Sequence, residues 1–298
     1  MPVSVSSEYL NVPGGFINLE TYDGGGSGIP LLYVHGGPGG NCESFRPMAE
    51  RLAETRKVYL YNQLGSDEAG HTGEESLWSI DRYTEALGQV ISSLKVEKLH
   101  LLGRSWGGML AAEHVLSVKD SPVVSITAMS PFFSTRLWLA DAKKRLAEMG
   151  GEYLHTVVES ESSIYFDGAA YRDAVRAYNL RYQCREDEIA RLGPRFSKAV
   201  QPKSPAGMKV YRYMWGPGEF TCTGVLREMD ITGRLPQIKL RVLFLCGEYD
   251  QVLPKTCEYY RSLIPGSRMA IIPNASQTQF LENPDLFYNT LMQFLRGF

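Results

Sequence analysis

The chain has 298 residues, 44% of them hydrophobic, and a formal net charge of −2 with a pI near 6.2. That is enough chain for one large α/β domain carrying an insertion, and the near-neutral balance leaves no basic footprint for nucleic acid or an anionic membrane. The N-terminus lacks the basic start and apolar core of a secretory signal and no apolar stretch reaches the roughly 18 residues of a bilayer span, so a cytoplasmic protein with neither a nucleic-acid nor a membrane partner is expected.

Residues 15–22 alternate apolar and polar side chains, the pattern of a half-exposed antiparallel strand, and Asp23-Gly24-Gly25-Gly26 turns the chain. Residues 30–34 are a continuous apolar run, as in a strand covered on both faces. A helix with a serine cap follows over 44–52, then a buried strand over 57–62 and a polar, glycine-containing loop over 63–77. Ser79 caps a helix running to Leu94. Residues 99–103 are the next strand, a helical pattern follows, and 123–129 is a β-branched strand, so strands and helices alternate. Such alternation predicts a mostly parallel sheet with helices on both faces.

From about residue 130 to 224 that regularity stops. Helical periodicity over 135–149, 169–183 and 185–192, with many aromatic residues, predicts a helical cap (130–224) inserted into a core made of 1–129 and 225–298. Strands resume over 240–246 and 268–272, and 283–294 is the closing helix. Cys42, Cys184, Cys222, Cys246 and Cys257 are scattered without a Cys-x-x-Cys spacing and read as reduced thiols. No metal site and no cofactor is expected.

Three sites along this frame carry chemistry. Gly103-Arg104-Ser105-Trp106-Gly107 lies between a strand and a helix with a small-residue face (Gly108, Ala111, Ala112). That is a nucleophile elbow, in which the serine hydroxyl is pushed out of the sheet and the flanking backbones leave no room for a Cβ; Ser105 is the candidate nucleophile. His35-Gly36-Gly37-Pro38-Gly39-Gly40 ends the strand over 30–34, where a glycine-rich loop can bring a backbone N–H to a reacting carbonyl. Gly37 and Trp106 are the candidate oxyanion donors. A phosphate cradle is the competing reading of that loop, and no Gly-Lys-Ser/Thr ending supports it. Asp250 follows the strand over 240–246, at the sheet's carboxyl edge where α/β folds place functional residues.

The pairing of His35-Gly36-Gly37-Pro38-Gly39 with Gly103-Arg104-Ser105-Trp106-Gly107-Gly108, together with Gly247-Glu248-Tyr249-Asp250 and Gly216-Pro217-Gly218-Glu219-Phe220, resembles the proline iminopeptidase family of α/β-hydrolases over nearly the whole chain. The resemblance implies an α/β-hydrolase fold and a serine aminopeptidase or amidase acting on a short peptide or amino-acid-derived substrate. It also implies Ser105 as nucleophile, Asp250 as triad acid and Glu219 as the group that binds the substrate's amine, with Trp215 beside it as pocket lining. Three positions depart from the family pattern. Gln277 in Asn274-Ala275-Ser276-Gln277 stands where the triad histidine belongs, and no histidine occurs after His155. Gln251 replaces a carboxylate, and Asn62-Gln63-Leu64-Gly65 replaces an Asp-Gln-x-Gly loop. An amide can hydrogen-bond Ser105 and Asp250 but cannot shuttle a proton near neutrality. Restoring histidine at 277 is expected to rebuild the triad without repacking. Among the other histidines, His35, His100 and His114 read as structural, His155 has no positional argument, and only His71 lies on a loop that could reach the cleft. The alternatives are a biosynthetic enzyme that needs no triad base (a cyclase, lyase or acyl-transfer catalyst) and a noncatalytic ligand-binding protein on the same fold.

Overall fold

The computed structural model describes residues 2–66, 69–70, 74–75, 78–164, 166, 168–185 and 204–297. Eight strands form one sheet: β1 Ser4–Val12, β2 Gly15–Asp23, β3 Gly28–Val34, β4 Arg56–Asn62, β5 Leu99–Arg104, β6 Val123–Met129, β7 Arg241–Gly247 and β8 Arg268–Ile272. Their order is β1-β2-β4-β3-β5-β6-β7-β8. The β1/β2 and β2/β4 pairs are antiparallel and the rest parallel, which is the mostly parallel sheet that the strand–helix alternation predicts and the α/β-hydrolase arrangement that the resemblance implies.

The strand over 4–12 is absent from the sequence reading. Its residues from Ser4 to Tyr9 are exposed, so backbone pairing with β2 rather than a buried face defines it, and an edge strand of that kind writes no hydrophobic period into the sequence. The inner strands do bury both faces, and their side chains alternate between two cores. Leu32, Val34, Leu99 and Leu101 join the core formed with helices α2 (Ile80–Ser93) and α3 (Trp106–Ser117). Leu31, Tyr33 and Leu102 join the one formed with α1 (Arg46–Ala53) and the C-terminal helix Pro284–Leu295.

Between β6 and β7 the described residues include four α-helices, α4 Thr135–Met149, α5 Gly151–Ser162, α6 Ala169–Tyr182 and α7 Pro205–Met214. The expected helices over 135–149 and 169–183 are present and two further ones, α5 and α7, were not read. The helix expected over 185–192 lies almost wholly outside the described residues. The cap has its own small core of Leu146, Val157, Tyr171, Tyr178, Tyr182 and Phe220. It is fastened to the sheet by Asp141, whose carboxylate accepts from the Leu253 N–H and the Thr256 hydroxyl, both at 2.9 Å, at the start of α8 (Pro254–Leu263). α9 (Gln279–Glu282) and α10 (Pro284–Leu295) close the chain. All five cysteines are buried and unbridged, and among the described residues no helix is long and apolar enough to cross a membrane.

Candidate active site

Ser105 sits between β5 and α3 with φ 50° and ψ −116°, a conformation that costs a non-glycine residue on the order of 1–3 kcal/mol and persists only where the surroundings enforce it. Here they do. The Ser105 N–H donates to the Met129 carbonyl at 2.8 Å. A Cβ on Gly103 would meet the Gly107 carbonyl carbon at 2.6 Å, and one on Gly107 would meet the His35 oxygen at 2.6 Å, so the strand, the turn and the loop after β3 pack too closely for side chains at either flank. Among the described residues the Ser105 hydroxyl has no hydrogen-bond partner.

The loop after β3 is held against this turn. His35 is fully buried; its Nε2 accepts from the Gln63 N–H at 3.0 Å, so the proton is on Nδ1, which donates to the Gly36 carbonyl at 2.7 Å. Burial pushes its pKa down to about 4, so the ring is a neutral strut. Gln63 also donates to the His35 carbonyl and accepts from the Trp106 indole, both at 2.9 Å, which ties this loop to the first residue of α3. The Trp106 N–H is one of the donors a helix start leaves without an intrahelical partner, and the helix dipole favours negative charge there. Asn62, read as a charge lost from the pocket, is a buried prop: its Oδ1 accepts from the Cys42 N–H at 3.0 Å.

Asp250 is fully buried. Its Oδ2 accepts from the Ser130 hydroxyl (2.7 Å), the Gly247 N–H (3.0 Å) and Gln279 Nε2 (3.0 Å), and its Oδ1 from the Val252 N–H (3.3 Å). Burial pushes the carboxyl up to about 6 despite these donors. Arg145 on α4 holds the same turn by donating to the Asp250 carbonyl at 2.9 Å and the Glu248 carbonyl at 3.2 Å.

Here the sequence expectation for Gln277 is corrected. The Gln277 side chain is bonded to neither Ser105 nor Asp250; its Oε1 accepts from Arg104 Nη2 at 3.1 Å. The glutamine that reaches the acid is Gln279, because α9 begins there and turns its side chain inward, while the Gln277 N–H is spent on the Tyr182 carbonyl of the cap at 3.2 Å. Glu282 fixes this loop by accepting from the Ser276 N–H at 2.6 Å and the Arg185 N–H at 2.8 Å. Neither Gln279 nor Glu282 is singled out by the sequence; the one signal is a second glutamine two residues on, and the turn at 277–278 that leads into α9 sends the two side chains to different partners.

On the cap side, Glu219 is half-buried. Its Oε2 accepts from the Tyr211 hydroxyl at 2.9 Å and its N–H donates to the Tyr171 oxygen at 2.9 Å, while the Tyr171 hydroxyl donates to Glu161 at 2.7 Å. Trp215 makes no hydrogen bond to the Glu219 carboxylate among the described residues and packs inward. It is 4% exposed, its indole donates to the Gly218 carbonyl at 3.0 Å, and its ring packs edge-on against Phe132. Tyr211, one turn earlier on α7, is the aromatic that meets Glu219. Gln251 is buried in the Asp250 turn. His100 bonds Ser125 and His114 bonds Ser121, burial pushing both down to about 4. His155 is exposed beside Glu159, and His71 lies outside the described residues. Among the described residues no cluster of three or more metal-ligating side chains is present.

A family model described as alpha/beta hydrolase fold matches residues 29–284. A proline iminopeptidase of Heyndrickxia coagulans is 32% identical over 289 residues, covering 97% of this chain and 98% of its own length. In structure, a proline iminopeptidase of Mycobacterium smegmatis superimposes with a TM-score of 0.87 at 28% identity, and VinJ with a TM-score of 0.88 at 25% identity, each covering 98% of both chains.

Proposed function

Because this chain belongs to the α/β-hydrolase family, and within it to the proline iminopeptidase family, we propose that Ser105 takes the acyl group of a short peptide or amino-acid amide whose free amine pairs with Glu219. The strained Ser105 backbone, kept against the Gly36–Gly37 loop, is the observation that carries this reading, since a protein that only bound its ligand would have no use for that strain. In the reaction the serine oxygen attacks the carbonyl, the Gly37 and Trp106 N–H groups take the developing oxyanion, and the amine leaves. Water then releases the acid from the Ser105 ester. Among the described residues no imidazole lies at Ser105 to accept its proton, which water relays to the departing nitrogen instead, so acceleration rests on the oxyanion hole and on binding, worth roughly 10³ to 10⁴ over water.

The Gln279–Asp250 bond favours a second reading. An acid already satisfied by an amide suits an enzyme on this fold whose chemistry uses the oxyanion hole but no triad base, such as an acyl transfer, cyclisation or elimination.

The discriminating measurement compares amino-acid aryl amides with a free amine and with an N-acetylated amine. The free amine should bind more tightly, and Glu219→Gln should cost it more than about 1.5 kcal/mol, the loss of a charge-assisted contact. Equal binding of the acetylated compound removes the aminopeptidase assignment.

A further inference from the structure

The reaction above leaves Arg104, the residue before the nucleophile, without a role. Its stem flanks the oxyanion loop: a Cβ on Gly36 would lie 3.6 Å from the Ser105 Cβ and 3.7 Å from the Arg104 Cγ. Its guanidinium donates from Nη2 to the uncharged Oε1 of Gln277, while its Nε is buried without a partner. The Phe280 ring, 5.7 Å away, backs the guanidinium. Among the described residues no carboxylate pairs with it. Other arginines of this fold are neutralised: Arg46 by Glu20 and Arg145 by Glu148. A half-buried cation that no carboxylate neutralises is costly until an anion meets it, and the outer edge of the planar guanidinium fits a carboxylate. Gln277 completes the fit. With its oxygen turned to Arg104, its Nε2 is a second donor that has no partner among the described residues, and a neutral amide adds no positive charge to repel Arg104 as an imidazolium would.

We propose that Arg104 and Gln277 form a carboxylate-binding subsite beside Ser105, and that the site takes a dipeptide-sized zwitterion, its carboxylate on Arg104 and Gln277 and its ammonium on Glu219. Only the ammonium end rests on the function proposed above.

The test is calorimetric titration of the full chain with three probes: prolylglycine, its C-terminal amide, and N-acetyl-prolylglycine. Prolylglycine should bind at least about tenfold more tightly than the amide, the scale of one charge-assisted contact. That ratio should fall to about one in Arg104→Gln and be partly kept in Arg104→Lys; a ratio taken within each variant is insensitive to its stability. Equal binding of acid and amide by the unaltered protein, or a ratio that survives Arg104→Gln, overturns the subsite. If N-acetyl-prolylglycine binds as well as prolylglycine with the same dependence on Arg104, the subsite stands and the Glu219 reading falls. If none of the three binds, both fall.

Discussion

Gln279 Nε2 lies 3.0 Å from Asp250 Oδ2 and 2.9 Å from the Ser130 hydroxyl, which itself donates to the same carboxylate oxygen at 2.7 Å. Of the two contacts that one imidazole would make, the one to the acid is held by Gln279 and the one to Ser105 is not made, because Gln277 is turned to Arg104. The Gln279 Oε1 is left buried without a partner, so the amide orientation is set by the carboxylate, which only a donor can satisfy.

This bond revises what a restored histidine should do. Gln277→His alone places an imidazole next to an acid whose Oδ2 already accepts three hydrogen bonds, so hydrolysis of an amino-acid aryl amide should rise less than about tenfold. Gln277→His with Gln279→Met, which removes the amide at nearly constant volume, should gain at least about a hundredfold, the low end of general-base catalysis. Measured kcat/KM for the two variants decides it: a single substitution as effective as the pair means that Gln279 does not restrain Asp250.

The elbow conformation has a cost that can be measured. Ser105→Gly removes strain of about 1–3 kcal/mol and adds roughly 0.5–1 kcal/mol of chain entropy lost on folding, so the variant should be about 1 kcal/mol more stable while losing all acyl chemistry. Urea unfolding of Ser105→Gly beside Ser105→Ala isolates the backbone term, because both lack the hydroxyl. A glycine variant no more stable than the alanine one would show that the strain in the turn does not exceed glycine's entropy cost.

Stability should fall on acidification between pH 6.5 and 4. His35, His100 and His114 each titrate near 4 when folded against about 6.5 unfolded, so in that window the unfolded chain binds more protons and acid favours it. Asp250, pushed up to about 6, has the opposite sign: the folded state binds its proton more tightly, and its contribution to stability is lost as pH rises from about 4 to 6. Asp141 and Glu282, also raised by burial, act with Asp250. Three histidines against Asp250 would leave a net uptake of about two protons on unfolding near pH 5, which Asp141 and Glu282 reduce, so the slope is at most about 2–3 kcal/mol per pH unit. Urea midpoints at pH 7, 6 and 5 should decline, and decline less in His114→Gln; a midpoint constant or rising toward pH 5 contradicts this.

Much of the molecule was legible because its causes are local. Continuous apolar runs marked β3, β4, β5, β6 and β7 because both faces of each strand are covered. The glycines around Ser105 marked the elbow because the backbones there leave no space for a Cβ, and the missing histidine after residue 155 is a fact of the sequence alone. Partners distant along the chain were decided by the tertiary structure. Gln279 rather than Gln277 reaches Asp250, 29 residues away, because the loop after β8 is pinned to the cap and to Glu282 before α9 begins. Trp215 is drawn into the core, leaving Tyr211 to meet Glu219, because the start of the cap's return to the sheet packs on Phe132. β1 exists through backbone pairing that no side-chain pattern records. A sequence states which side chains must be buried and where the backbone needs room; which donor meets which buried carboxylate depends on how the loops between those elements close.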